Sequence, residues 1–308
     1  VDHLFDMKLP SLIQRTITGL LLVALMIWAI LSGPYTFVIF FAILTFGILW
    51  EYFTLINVSR ECHILRPVHS FGGMVLFVCA FLAASHITPT SIFIVYLIYM
   101  MLMFISRLYT RQVNPLRELA FIIMGQVYIA GPMSLLSFIA FHTKAFPMDD
   151  MWKDYCPIFI LSLFFFIWIN DTGAYLTGMS CSKLMRTHKL FPRVSPKKTW
   201  EGLVGGVVFA MILGLLLSYG GYIWRHLGIS LHEGVRLSRL SWIGMALTVS
   251  IFSTFGDLIE SFVKRAVGVK DSGHILPGHG GLWDRFDSLL MAAPAMLIFL
   301  IVNAIFFK

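Results

Sequence analysis

Charge is what this sequence has least of. Only 13% of its 308 residues are Asp, Glu, Lys or Arg, against 58% hydrophobic, and the mean hydropathy is +0.83. A soluble globule needs a polar exterior, so this composition excludes one. Cysteine is scarce too. Cys62, Cys79, Cys156 and Cys181 show no metal-ligand spacing and lie in or beside apolar runs. They read as small buried hydrophobes, which argues against a zinc module or a disulfide framework. No internal repeat is apparent, and little polar sequence is left over for a soluble domain. The 28 Phe and 16 Met residues fit lipid-facing or core positions at helical spacing and imply no cofactor.

What the chain does have is long apolar runs. Nine are centred near residues 18–32, 35–50, 71–86, 90–105, 120–141, 157–177, 203–224, 241–260 and 286–307. Crossing a bilayer core takes about 20 apolar residues in a helix. The expectation is an all-α integral membrane protein, a polytopic bundle of about nine transmembrane helices. It is one membrane domain overall, with N-terminal spans in 1–118 and motif-bearing spans in 119–308. The first run follows Asp2, Asp6, Lys8 and Arg15 with no small-residue cleavage site after it, and reads as a retained span.

The few charges are unevenly placed. With the N-terminus cytoplasmic, segments 1–16, 51–69, 106–118, 178–201 and 261–285 lie inside and hold 17 of the 23 Lys and Arg residues. The positive-inside rule therefore predicts an N-in, C-out arrangement.

Polar groups beside a membrane are costly unless paired or functional, and three features in the second half concentrate them. The first is Asn170-Asp171, within F-F-F-I-W-I-N-D-T-G-A-Y; Asp171 is either a functional group in a span or a solvated interfacial carboxylate. Gly173 and Gly178 nearby permit close approach of backbone or ligand. The second is S-P-K-K-T-W-E-G, Ser195 to Gly202. Ser195 suits an N-cap and Pro196 the first helical position, so a helix is expected to start there. Lys197 and Lys198 would then face the positive end of the helix dipole, a placement that a bound phosphate would reverse. Alternatively they only set topology. Glu201 is a further polar candidate in this block.

The third feature runs from Ser261 to Asp287 and packs four cations, three carboxylates and six Gly or Pro residues between apolar stretches. On a helix, Asp257, Glu260, Ser261 and Lys264 share one face. Pro277 to Gly281 offers bare backbone suited to a phosphate nest, or merely a tight turn. Asp284 and Asp287 are expected on one face at the start of the ninth helix. They serve either the helix dipole or, with Asp257, a Mg²⁺ or Mn²⁺ ion bridging phosphate oxygens. No third His or Cys joins His274 and His279 in a zinc-like set, so these suit hydrogen bonding or phosphate contact.

The run S-F-V-K-R-A-V-G-V-K-D-S-G-H-I-L-P-G-H-G-G-L-W-D-R-F-D closely resembles the signature of phosphatidate cytidylyltransferases, also called CDP-diacylglycerol synthases. S-P-K-K-T-W-E-G at 195–202 and D-T-G-A-Y at 171–175 resemble two further blocks of that family, and I-Q-R-T-I-T-G at 13–19 the start of its bacterial members. Residues 180–194 depart from it, being longer and more basic. The resemblance implies transfer of CMP from CTP to phosphatidate, giving CDP-diacylglycerol and pyrophosphate, with Mg²⁺ (or Mn²⁺) held by Asp257, Asp284 and Asp287. It implies phosphate contacts from Lys197, Lys198, Lys264, Arg265, Lys270, His279, Gly280, Gly281 and Arg285, with Ser261 adding a hydrogen bond. CTP, phosphatidate and the lipid bilayer are the implied partners; a homodimer is allowed for and a nucleic acid is not expected. The implied location is the bacterial inner (cytoplasmic) membrane, or the endoplasmic reticulum membrane for a eukaryotic source. A CTP-dependent lipid kinase would need a base near a lipid hydroxyl. A transporter would place its charges near the midplane of repeated halves.

Overall fold

The computed structural model describes residues 8–58, 62–109, 114–141, 155–184, 187–219, 237–269, 272–273 and 280–306, with side chains from Thr16 onward. All nine expected spans are helical. They are α1 (Lys8–Leu31), α2 (Pro34–Val58), α3 (Arg66–Ala84), and α4 (Phe93–Leu108) behind a 3₁₀ turn at Thr90–Ile92. Then come α5 (Pro115–Gly125) continuing through a π turn (Gln126–Ala130) into α6 (Gly131–Ala140), α7 (Pro157–Leu184), α8 (Trp200–Ser218) and α9 (Arg239–Val267). The short α10 (Trp283–Phe286) and α11 (Leu289–Phe306) complete the set. Eight of these helical stretches among the described residues have the length and hydropathy to cross a membrane, and α1 adds the apolar run Thr16–Leu31. The protein is a polytopic all-α membrane protein. Its only β-strands among the described residues form the hairpin of β1 (Lys189–Phe191) and β2 (Ser195–Thr199).

The chain divides into two compact units. The first comprises Val1–Cys79, Phe93–Gly131 and Lys264–Phe286. Its apolar core is aromatic: Phe37 and Phe41 of α2 pack against Phe77 of α3, with Tyr52 and Phe53 also fully buried. Hydrocarbon offers polar side chains no water, so they must pair with one another. Arg107 of α4 bonds Glu118 of α5 at 2.9 Å, with Glu118 wholly buried. The second Glu118 oxygen accepts the His63 N–H, and Arg107 also reaches His69 Nε2 at 3.3 Å. Gln126, in the π turn, donates to the His69 carbonyl and accepts from Tyr96.

The second unit comprises Ala80–Ile92, Pro132–Val263 and Asp287–Lys308. Its α7 and α8 touch through small residues. A Cβ at Gly206 would lie 2.6 Å from both oxygens of Asn170, and one at Gly202 3.0 Å from the Ala174 carbonyl. Only glycine allows that approach, so Gly202 and Gly206 serve the packing of α8 on α7. Ser241 of α9 donates to Asn303 of α11 at 2.6 Å.

Two local expectations are corrected. The helix does not start at Ser195. Residues 195–199 pair with β1 instead, and α8 begins at Trp200 with Thr199 as its cap: Thr199 is extended (φ −125, ψ 155) and its Oγ1 accepts the Gly202 N–H at 3.1 Å. Both Ser195 and Thr199 are sound start signals, and strand pairing claims the first. Nor do Asp284 and Asp287 share a helix face. α10 is a single turn, and Asp287 lies in the bend before α11, its Oδ1 accepting the Ser288 N–H at 2.6 Å. The bend follows from close packing on α9, where a Cβ at Gly256 would lie 2.6 Å from the Asp287 carbonyl.

Candidate active site

In the second unit the helical register of α9 puts Asp257, Glu260 and Ser261 on one face, as their spacing predicts. Asp287 joins them from the bend before α11. Single oxygens of Asp257, Glu260 and Asp287 all lie within 4.8 Å of one another. Three carboxylates this close repel one another and are stabilised by a cation. A set of hard oxygen donors fits Mg²⁺ or Mn²⁺ by its chemistry. Two of the three carboxylates expected to hold a metal, Asp257 and Asp287, are thus together, with Glu260 as a third carboxylate beside them. Ser261 Oγ donates to Asp257 Oδ1 at 3.3 Å, and Lys198 Nζ sits 2.7 Å from Asp257 Oδ2.

Asp257 also borders a cavity of about 590 Å³. Asn170, Asp171, Tyr175 and Met179 of α7 form one wall; Lys189, Leu190, Lys197 and Lys198 of the hairpin, with Gly202 and Leu203 of α8, form the rest; Thr254 and Asp257 come from α9. Asp171 is exposed to this space, within electrostatic reach of Lys198 and Asp257. Beneath it, buried Asn170 donates to Ser253 and Thr254, linking α7 to α9. Because Lys197 and Lys198 sit on β2, their ammonium groups reach the cavity from the hairpin, not from a helix N-terminus. Lys198 also donates to the Thr254 carbonyl at 3.4 Å. Glu201 faces elsewhere and holds His188 through both its backbone N–H (3.0 Å) and Nδ1 (2.9 Å), fixing the hairpin to the first turn of α8.

The first unit holds the other polar cluster. Lys264, in the last turn of α9, bonds Asp284 Oδ1 at 2.7 Å with both side chains mostly buried. Asp284 Oδ2 accepts the N–H groups of Gly281 (2.8 Å) and Ser272 (3.2 Å). Gly280 adopts φ +84, a conformation suited to glycine. Arg265 and Arg285 are exposed, and Arg265 donates to the Val269 carbonyl at 3.4 Å. Lys270, His274, Pro277, Gly278 and His279 lie outside the described residues. Glu51 of α2, absent from the sequence expectations, belongs to this cluster: its Oε2 accepts the Trp283 N–H at 2.9 Å. Its signal was a single ionisable residue in an otherwise apolar span.

The phosphatidate cytidylyltransferase of Staphylococcus aureus is 44% identical over 145 residues, covering 46% of this chain and 49% of that protein. Those of Staphylococcus saprophyticus and Staphylococcus haemolyticus are 43% and 42% identical over 145 residues. The chain spans about half the length of the curated relatives it matches. The profile of the cytidylyltransferase family matches residues 13–303, nearly the whole chain. With its motifs, its spans and that match in agreement, this chain belongs to the cytidylyltransferase family.

Proposed function

We propose that this protein transfers the cytidylyl group of CTP to phosphatidate, forming CDP-diacylglycerol and releasing pyrophosphate, at the cytoplasmic face of a bacterial membrane. The observation that carries this reading is the Asp257–Glu260–Asp287 cluster, with Lys198 beside it, at the edge of a nucleotide-sized cavity in a membrane-spanning member of this family. The relatives' name supplies the substrate class.

A phosphate oxygen of phosphatidate attacks the α-phosphorus of CTP, and the bond from that phosphorus to the oxygen bridging the β-phosphate breaks. Pyrophosphate leaves with the bonding electrons. The attacking phosphate is already anionic, so no Ser, Cys or His nucleophile is needed, and catalysis consists of positioning and charge neutralisation. Lys197 and Lys198 bind phosphate oxygens at the cavity, and Ser261 orients Asp257. Lys264, Arg265 and Arg285 are proposed as further phosphate ligands on their charge alone. A Mg²⁺ ion held by Asp257, Glu260 and Asp287 would supply Lewis-acid neutralisation of phosphate charge.

The test is an assay of the purified chain with phosphatidate, Mg²⁺ and each of the four nucleoside triphosphates in turn, identifying both products by mass. CDP-diacylglycerol and pyrophosphate in equal amounts from CTP alone is the expected result. In a parallel assay with diacylglycerol in place of phosphatidate, release of CDP with a phosphorylated lipid would replace the reading with a kinase, and no turnover of any nucleotide in either assay would remove it.

A further inference from the structure

The α2 span, Pro34–Val58, carries a single ionisable side chain other than tyrosine, Glu51, and it is 3% exposed. A carboxylate enclosed in an apolar span is expensive unless its acceptor capacity is used. Here one oxygen is used. Glu51 Oε2 accepts the Trp283 N–H at 2.9 Å and the Ser272 hydroxyl at 3.4 Å. The residues around it are shaped to the same purpose. Tyr52 meets the fully buried Trp283 ring edge-on at 5.4 Å. One helical turn earlier, Gly47 leaves room for Leu282, where a Cβ would lie 2.7 Å from that side chain. Gly273 and Gly281 close on the carboxylate so tightly that a Cβ at either would stand 2.7 Å from a Glu51 oxygen.

Asp284 follows directly on the residue Glu51 holds. It takes its own hydrogen bonds from the same short stretches, Ser272 and Gly281, and receives Lys264 on its other oxygen. We propose that Glu51 is the positioning residue for Asp284: by accepting the Trp283 N–H group it fixes the backbone from which Asp284 holds Lys264. Glu51 touches protein donors and acts on the reaction through Asp284. Its effect on turnover rests on the reaction proposed above, whereas its effect on the backbone does not.

The experiment uses the full chain in detergent with two substitutions. Glu51→Gln keeps an acceptor oxygen and loses the charge; Glu51→Met keeps the volume and offers the Trp283 N–H no comparable acceptor. Three quantities are measured: kcat and KM for CTP and phosphatidate, amide hydrogen exchange of the peptide covering 281–286, and thermal unfolding. The expected kcat loss is about 10-fold for Gln and about 100-fold for Met, the scale of one charge-assisted hydrogen bond. KM should stay within about twofold, since no substrate contact is removed. Exchange at 281–283 should rise in the same order while that of the other helices stays unchanged. Wild-type kcat in the Met variant, or faster exchange spread over all helices, would overturn the proposal by leaving Glu51 a packing residue. Should the Met variant not fold, the Gln variant decides by the same two readouts. Should the wild-type chain make no CDP-diacylglycerol, exchange at 281–283 alone decides: faster in the variants supports Glu51 as the anchor, unchanged refutes it.

Discussion

Lys198 Nζ lies 2.7 Å from Asp257 Oδ2, so the cation of a hairpin strand neutralises one carboxylate of the three-carboxylate cluster. Neither side chain is fully enclosed, with 25% and 34% of their surfaces exposed. Such a pair gives little stability but leaves the ammonium open to an incoming phosphate, which a buried pair would not.

Lys198→Gln should therefore reduce kcat/KM for CTP strongly while barely changing thermal stability. A charged hydrogen bond contributes about 1.5–3 kcal/mol, or roughly 10- to 150-fold. Lys197→Gln should cost less, because that side chain is exposed on the same strand. Steady-state kinetics of both variants check this, and equal losses would mean the two lysines act as a general positive field.

The contact of α7 with α8 is the most tightly specified in the second unit. Gly206→Ala puts a methyl 2.6 Å from the Asn170 carbonyl and side-chain oxygens, with no room to move on either helix. Overpacking of this sort costs about 1–3 kcal/mol, so the unfolding temperature in detergent should fall by several degrees. Asn170 would be displaced from Ser253 and Thr254 as well, so activity should fall with it. An unchanged melting curve would show that the helices can separate freely.

The nine spans were legible because hydropathy alone dictates them, and the shared face of Asp257, Glu260 and Ser261 because helical spacing does. The hairpin was not, because S-P-K-K-T-W-E-G contains two valid helix starts and only pairing with Lys189–Phe191 chooses the later one. Glu260 was read as part of a face but not as a member of a carboxylate cluster, since an acidic residue on an exposed face and one on a buried face look alike in sequence. Arg107 was counted among the loop cations, yet it is spent on buried Glu118 and His69. Glu51 escaped because the second inner loop was expected to begin at residue 51, whereas α2 continues to Val58.

The split of 17 basic residues against six predicts an N-in, C-out topology that labelling can test. In a variant lacking the four native cysteines, Lys197→Cys should resist a membrane-impermeant maleimide in intact cells and react after permeabilisation. A cysteine appended after Lys308 should react in intact cells. The reverse pattern would put the cavity on the side without CTP.

The carboxylates proposed to hold Mg²⁺ can be separated from Asp284 by their response to that ion. Glu260→Gln and Asp287→Asn each remove one negative charge from a cluster whose oxygens lie within 4.8 Å. Both keep the size of the side chain, so packing is nearly conserved. Their Mg²⁺ activation midpoints should rise about tenfold or more, and Mn²⁺ binding followed by paramagnetic resonance should weaken in parallel. Asp257→Asn should do the same and also free Lys198. Asp284→Asn should behave differently. Its carboxylate is engaged by Lys264 and by the Ser272 and Gly281 N–H groups, so turnover should drop with the Mg²⁺ midpoint unmoved. Chelation with EDTA should abolish activity in the wild type and restore it on adding Mg²⁺ back. A raised midpoint in Asp284→Asn alone, with Glu260→Gln normal, would return the metal to the set of residues that the sequence first suggested.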